Sequence, residues 1–293
     1  MKVTNISLAN MISEQLTNTF ADLAELQSKI ATGRRILKPS DDPVGTTKTM
    51  RIASDLSEFD AYKSNMIYSR SYVRTTLTAL DQLLNVISRA QEIAIQQRGA
   101  SASIQTRLSA AVEVQNAFEE ILVLANTKLG GKYIFGGHDS LNSPFQSDGT
   151  YIADSGEFRV NIGPSADMKI NLSGNEIFTT GNGGADIFGA IKELKDALSA
   201  NDPSGIGDSI DSIITAFDLV NVKISETGAK LNRLQNSQLS TEKRSFDLQL
   251  VLSDTLDLDL ASAIIEMSAK QNIMNAALAT AGRILNLSLV NYL

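Results

Sequence analysis

The sequence predicts a mainly α-helical fold with a β-rich insert, in which both chain ends form a long antiparallel helical coiled coil or bundle. Apolar residues recur at alternating steps of three and four residues over most of the chain, which is the spacing of a helical seam. Most of the 19 glycines fall instead between residues 130 and 189, among short alternating runs that are typical of strands and turns. The helical spacing then returns, so the chain runs out and back along helices.

The first predicted helix covers residues 8–30. Its apolar positions recur three or four residues apart with polar residues between them, and they are Leu16, Phe20, Leu23, Leu26 and Ile30. Gly33 ends this pattern. The following Arg34, Arg35 and the proline-containing run at 39–43 favour a loop.

Two long helices follow, and we expect them to fold back on each other as a helical hairpin. The first begins at Pro43 with Asp42 as its N-cap and ends at Gly99, a length of ~80 Å at 1.5 Å per residue. Its seam is Val73, Leu77, Leu80, Leu84, Ile87, Gln91, Ala94 and Arg98. The seam of the second helix is Ile104, Leu108, Ala111, Gln115, Phe118, Leu122, Ala125 and Leu129.

The glycine-rich middle predicts strands at 133–135, 157–162 and 168–172. Helical spacing resumes at Ile187, stops at a turn at 201–203, and continues from Ile206 in a long helix. The seam of that helix is Ile210, Ile213, Phe217, Val220, Ile224, Leu231 and Leu234, and less regularly Phe246 and Leu250.

The last predicted helix begins at Leu260, directly after Asp257 and Asp259, whose negative charge favours a helix N-terminus. Its seam is Leu260, Ile264, Met267, Gln271, Met274, Leu278, Ala281 and Leu285. Because chain ends usually fray, a continuous apolar stripe at this end predicts a partner. We expect the two end helices to pair antiparallel, to be mobile in the isolated subunit, and to order when packed against neighbouring copies.

These patterns divide the chain into three predicted parts. Residues 1–35 and 257–293 form a terminal coiled coil, residues 36–130 and 187–256 form a helical bundle, and residues 131–186 form a β-rich outer domain.

Composition excludes several classes of protein. A net charge of -7 argues against a surface that binds nucleic acid. No stretch reaches the roughly 18 apolar residues of a membrane span, and residues 1–12 lack the apolar core of a secretory signal. Without cysteine there is no disulfide or thiolate metal site.

The residues that could carry chemistry have simpler interpretations. His138 could be a proton shuttle or a metal ligand, but a lone histidine in a glycine-rich turn is typical of a surface loop. Asp41 and Asp42 precede a proline and are interpreted as capping and turn residues rather than an acid/base pair. The glycines at 181–184 lack the following lysine of a phosphate-binding loop. We therefore predict no catalytic, metal-binding or cofactor-binding residue.

Arg34 and Arg35 follow a helix end, where they could bond helix carbonyls, reach acidic groups of a neighbour, or lie in solvent. Contacts with other subunits are expected from the end helices and the loop after the first of them. The predicted residues are Leu16, Phe20, Leu23, Ile30, Arg34, Arg35, Asp41, Asp42, Leu260, Ile264, Met267, Met274, Leu278 and Leu285.

Two segments resemble the bacterial flagellin family. Gly-Arg-Arg-Ile at 33–36 with Pro-Ser-Asp-Asp-Pro-Val-Gly at 39–45 resembles the N-terminal signature, and Asp-Leu-Asp-Leu-Ala at 257–261 with the helix after it resembles the C-terminal one. Within the family, residues 1–3, 132–137 and 287–293 resemble the members that lie between hook and filament. The resemblance covers both helical arms.

The resemblance implies a structural axial protein without catalysis, exported through the flagellar type III apparatus without a cleavable signal peptide. It implies a layer of copies of this chain between the first hook-associated protein and the flagellin filament, and an export chaperone on the C-terminal helix. A short flagellin is the alternative within the family, although the start at Met1-Lys2 does not match the usual Met-Ala. An intracellular coiled-coil scaffold or signalling protein, and a hydrolase that uses His138, are the alternatives outside it.

Overall fold

The computed structural model describes residues 5–99 and 102–290, and at 5, 6, 8, 9, 182 and 283–290 it describes the backbone alone. Within these ranges the chain is mainly helical with a small β region, which confirms the predicted fold class. The helices are α1 (Asn5–Thr32), α2 (Pro43–Arg98), α3 (Ile104–Ala125), α4 (Ile187–Ser199), α5 (Pro203–Leu256) and α6 (Leu260–Val290). The strands are β1 (Lys128–Leu129), β2 (Lys132–Tyr133), β3 (Arg159–Gly163) and β4 (Ala166–Lys169).

The chain divides into two compact units. The terminal unit comprises residues 1–58 and 244–293, and the central unit comprises residues 59–243. Helices α2 and α5 contribute residues to both units. Among the described residues, none of the helices is long and apolar enough to cross a membrane.

In the central unit, α2 and α3 form the predicted antiparallel hairpin. Arg89 of α2 lies 2.8 Å from the Glu113 carboxylate of α3. Nearer the turn, Arg107 donates from Nε to the Gln97 carbonyl at 3.0 Å. Much of the predicted α2 seam is buried, including Val73, Leu80, Ile87 and Ala94.

The prediction for α3 was wrong in two respects. Its first seam residues, Ile104 and Leu108, are 60% and 41% exposed, because the buried face is shifted onto smaller side chains and Arg107. The buried face consists of Arg107, Ala110, Ala111, Val114, Ala117, Ile121, Leu124 and Ala125. This alanine-rich face allows α4 to pack closely. The helix also ends at Ala125, so Leu129 lies in β1 rather than in the seam.

The β region contains two antiparallel hairpins, with Lys128 opposite Tyr133 in one and Val160 opposite Met168 in the other. The predicted strand at 133–135 is reduced to Tyr133, since Ile134 and Phe135 are buried outside the strand. Phenylalanines rather than long strands build this part of the core. The Phe145 ring lies 5.1 Å from the Phe178 ring and 5.4 Å from the Phe188 ring between centroids.

Candidate assembly surface

The terminal unit is organised around a corner formed by residues 33–35 and 256–258, which we call the terminal corner. The Arg35 amide donates to the Leu256 carbonyl at 2.7 Å, and the Leu258 amide donates to the Gly33 carbonyl at 2.9 Å. Gly33 ends α1 with a φ of 70°, a left-handed conformation that favours glycine. These bonds join the end of α1 to the link between α5 and α6.

The Arg35 side chain strengthens the terminal corner. Its Nη2 donates to the Thr255 carbonyl at 3.0 Å and lies 3.3 Å from Asp42 Oδ2. Thr255 is in the last turn of α5, where a cation is favoured. The interpretation that an arginine here bonds helix carbonyls is therefore confirmed for Arg35, while the Arg34 side chain is exposed and its backbone pairs with Asp257.

Asp42 is a capping residue and Asp41 a turn residue, within the predicted roles. Asp42 Oδ1 accepts the Gly45 amide at 2.8 Å at the start of α2. Asp41 Oδ2 accepts the Leu37 and Lys38 amides at 3.0 Å and 2.9 Å. These two hydrogen bonds lower the pKa of Asp41, and the one from the Lys38 amide has the larger effect. Both carboxylates are thus engaged by the backbone, which leaves the acid/base interpretation unsupported.

Helix α6 starts at a well-formed cap. Asp259 Oδ1 accepts the Ala261 and Ser262 amides at 3.0 Å and 3.2 Å, and Asp259 Oδ2 accepts the Ser262 hydroxyl at 2.8 Å. The Ser262 side chain is the main cause that lowers the pKa of Asp259. The predicted role of acidic residues before this helix is confirmed at Asp259.

Helices α1 and α6 pack closely and run antiparallel, as predicted. Lys270 Nζ lies 3.0 Å from Asp22 Oδ2, and the pairing at the terminal corner joins the later end of α1 to the beginning of α6. Among the described side chains of α6, those that are not exposed are Ala263, Met267, Lys270, Gln271, Met274, Ala277 and Ala281. All of them except Gln271 follow one alternation of four and three residues, which we call the inner seam. The matching side chains of α1 are Ile12, Leu16, Thr19, Leu23, Leu26 and Ile30.

The structure corrects the predicted seam of α6. Met267 and Met274 lie in the inner seam, but Leu260, Ile264 and Leu278 are 48%, 49% and 52% exposed. Small alanines face α1 in their place, and small side chains let two helices approach closely. Leu285 lies in α6, with a side chain outside the described residues.

The same correction applies to α1. Leu16, Leu23 and Ile30 belong to the face towards α6, whereas Phe20 is 64% exposed. Sequence reasoning missed Ala263, Asp22 and Lys270. A second alternation of four and three residues, beginning at Ala263, was the available signal.

Helix α6 exposes apolar side chains on faces that α1 does not cover. Besides the three side chains above, Ile265 and Ile273 are 71% and 60% exposed. Exposed polar residues such as Glu266 and Asn272 lie between them. Clustered exposed apolar side chains mark interaction sites. The terminal unit can therefore bind further apolar surfaces.

The other residues considered for chemistry lie in the central unit. His138 is exposed, and its Nε2 lies 3.1 Å from the Glu157 carbonyl oxygen. In the part of the chain that the structure describes, no group of three or more acidic or histidine side chains is arranged to hold a metal. Residues 181–183 form a short 3-10 turn, where a Cβ on Gly181 would lie 2.0 Å from the Asn175 amide oxygen. Close packing against Asn175 therefore explains why residue 181 is a glycine.

The chain is similar to known proteins over most of its length. Residues 3–140 match the bacterial flagellin N-terminal helical region. Flagellar hook-associated protein 3 of Escherichia coli strain K12 is 25% identical over 285 residues, covering 89% of this chain and 90% of the relative. The protein of the same name from Salmonella typhimurium is 24% identical over 295 residues, covering 90% of this chain and 91% of the relative.

The fold is similar to the crystal structure of the flagellar junction protein FlgL from Legionella pneumophila. The TM-score is 0.59 at 18% identity, and the match covers 73% of this chain and 100% of that chain. At this identity the likeness concerns the fold.

Proposed function

We propose that the chain is a member of the bacterial flagellin family and forms the junction layer between the first hook-associated protein and the flagellin filament, because residues 3–140 match the flagellin N-terminal helical region and two hook-associated proteins 3 are similar to it over most of their length. It is a structural component of the flagellum rather than an enzyme, and it assembles with other flagellar proteins. The observation that carries the proposal is that α6 packs one face against α1 and exposes large apolar side chains, among them Ile264, Ile265 and Leu278, on its other faces. These exposed apolar side chains need partners.

In the proposed layer, neighbouring copies of the chain cover the exposed side chains of the terminal unit. Leu260, Ile264 and Leu278 lie along one edge of α6, and Phe20 is exposed on α1. Burial of such side chains drives association, at roughly 1.5 to 3 kcal/mol for each one fully buried. The other predicted contact residues lie on α1 and α6 or in the segment from the terminal corner to the start of α2, and they act by holding α1 and α6 in place.

The three predicted parts of the chain receive different roles in this proposal. Residues 1–35 and 257–293 form the contacts between subunits, residues 36–130 and 187–256 form the supporting bundle, and residues 131–186 form the outer domain. The hook-side partner is the first hook-associated protein, and the filament-side partner is flagellin.

Export precedes assembly in this proposal. The protein leaves the cell through the type III apparatus without a cleavable signal peptide and is extracellular in its final place. An export chaperone covers α6 beforehand, because exposed apolar side chains such as Ile264 and Ile265 favour aggregation.

The test uses a strain from which the gene is deleted. We expect hooks without filaments and filament subunits shed into the medium, and the wild-type gene restores filaments. An Ile264→Asp variant should be exported but fail to restore them, because a charge at a contact surface opposes burial. Val123→Asp is the matched control, since Val123 is 70% exposed on α3 in the central unit.

Circular dichroism separates folding from assembly, because both variants should keep the helical signal of the parent. Intact filaments in the deletion strain would refute the junction role. Long filaments formed by the purified protein alone would indicate a flagellin instead.

A further inference from the structure

We infer that Lys270, paired with Asp22, selects which of two overlapping seams of α6 packs against α1. The inference rests on the proposed function, in which the seam that is not selected stays available to neighbouring subunits. Lys270 is accordingly a positioning residue.

Helix α6 contains two seams that both alternate steps of four and three residues. The inner seam runs from Ala263 to Ala281 and includes Lys270. The second seam consists of Leu260, Ile264, Met267, Gln271, Met274, Leu278 and Ala281. The two share Met267, Met274 and Ala281. At 100° per residue their centres differ by about 50° around the helix axis. A modest rotation of α6 would exchange them.

Burial of apolar area by itself favours the second seam. Ala263, Lys270 and Ala277 of the inner seam correspond to Ile264, Gln271 and Leu278 of the second seam, and isoleucine and leucine bury more apolar area than alanine. The structure nevertheless packs the inner seam against α1 and leaves Leu260, Ile264 and Leu278 about half exposed. Something other than apolar burial therefore selects the face.

Lys270 has the position and the partner for this role. It occupies the middle of the inner seam between Met267 and Met274, and its side chain is 28% exposed. Its Nζ lies 3.0 Å from Asp22 Oδ2 on α1 and 3.6 Å from Glu266 Oε1 on its own helix. A single lysine at a seam position specifies one arrangement of paired helices at a cost in stability.

The terminal corner alone does not explain the selection along the helix. Its backbone bonds end at Leu258, before α6 begins, and Lys270 lies about three helical turns further on. The corner fixes the first turn of α6, and the contact with Asp22 on α1 holds the rotation beyond it.

Disulfide trapping can measure the selected face, because the chain contains 0 cysteines and engineered pairs have no background. Leu16→Cys with Ala277→Cys reports the inner seam, and Leu16→Cys with Leu278→Cys reports the second seam. In the parent we expect the first pair to form its disulfide faster. In Lys270→Met the ratio of the two rates should fall by about two- to fivefold, the range expected from an exposed ion pair.

Two further variants define the cause. Asp22→Asn should lower the ratio as Lys270→Met does, and the double variant should lower it no further, because the two residues act through one contact. Glu266→Gln is the matched control, since it removes the contact within α6 and leaves Asp22 in place.

An unchanged ratio in Lys270→Met would overturn the inference, and so would a parent in which neither disulfide forms. Rates are compared in dilute, unassembled protein, and a ratio reports the preferred face even when α1 and α6 pair transiently. If the proposed junction role is wrong, the gene-deletion strain will show it, and the disulfide ratio will still decide whether Lys270 selects the packed face.

Discussion

Replacing Arg107 by methionine should destabilise the central unit by about 2 to 4 kcal/mol. Arg107 is 5% exposed, and its guanidinium donates to three uncharged oxygens, the carbonyls of Gln97 and Gly99 at 3.0 Å and the side chain of Asn201. The first two lie at the end of α2, where the negative end of the helix dipole favours a cation.

The magnitude follows from what methionine leaves behind. Methionine keeps the length of the side chain but donates nothing, so three acceptors lose their partner at about 1 kcal/mol each or somewhat more. Relief from burying a charge without a carboxylate offsets part of this loss. The net result remains a clear destabilisation.

The measurement is urea unfolding followed by tyrosine fluorescence. Five of the 6 tyrosines belong to residues 59–243, so the signal reports the central unit, and tryptophan is absent. Arg89→Met is the matched control, because Arg89 also bonds across the hairpin, to Glu113, but its side chain is 53% exposed. That change should cost less than about 1 kcal/mol. Equal shifts of the two midpoints would refute the reasoning.

Three other substitutions or conditions have defined outcomes. Gly45→Ala should weaken the start of α2, because a Cβ at this position would lie 2.5 Å from Asp42 Oδ2. Gly228→Ala should instead stabilise α5 by about 0.5 to 1 kcal/mol, because nothing lies within 4 Å of a Cβ at this position. Burial raises the pKa of Tyr72, so Tyr72→Phe should leave the tyrosinate absorbance that appears near pH ~10 unchanged. Lowering the pH below about 4 should loosen the first turn of α6, since the lowered pKa of Asp259 means that its cap stabilises the helix above that pH and is lost as the carboxylate becomes protonated.

Each of these outcomes has a direct comparison. Thermal unfolding of the two glycine variants should shift in opposite directions, and a shared direction would contradict the contact distances. A loss of one titrating tyrosine near pH ~10 in the phenylalanine variant would contradict the burial argument. For the cap, amide exchange at the start of α6 is compared with an Asp259→Asn variant, whose amide still caps the helix and does not titrate in acid.

Apolar spacing predicted α2 well and α3 and α6 less well, for a physical reason. In α2 the residues that pack are large and apolar, such as Leu80 and Ile87, so counting apolar residues finds the packed face. In α3 and α6 the packed face combines alanines with a long cationic side chain, Arg107 or Lys270. A count of large apolar residues does not identify such a face, although its small side chains let the partner helix approach closely.

The corner illustrates what spacing cannot predict. The resemblance identified the segments at 33–45 and 257–261, and the turn role of Asp41 and the capping role of Asp42 could be predicted from local chemistry. The bonds that join Arg35 to Leu256 and Gly33 to Leu258 link residues more than 200 positions apart in the sequence, which no local pattern records. The strand β1 was missed, and β2 was predicted only at Tyr133, because two residues each are too few to alternate.

The contact between Asp22 and Lys270 joins residues 248 positions apart. Loop closure on that scale is slow, and it cannot begin while either end of the chain is still missing or held elsewhere. During synthesis the α1 and α6 segments are not free together until the residues of α6 have emerged. Pairing of α1 with α6 therefore acts as a signal of completeness, because a chain truncated before α6 lacks one side of every contact that the paired helices make.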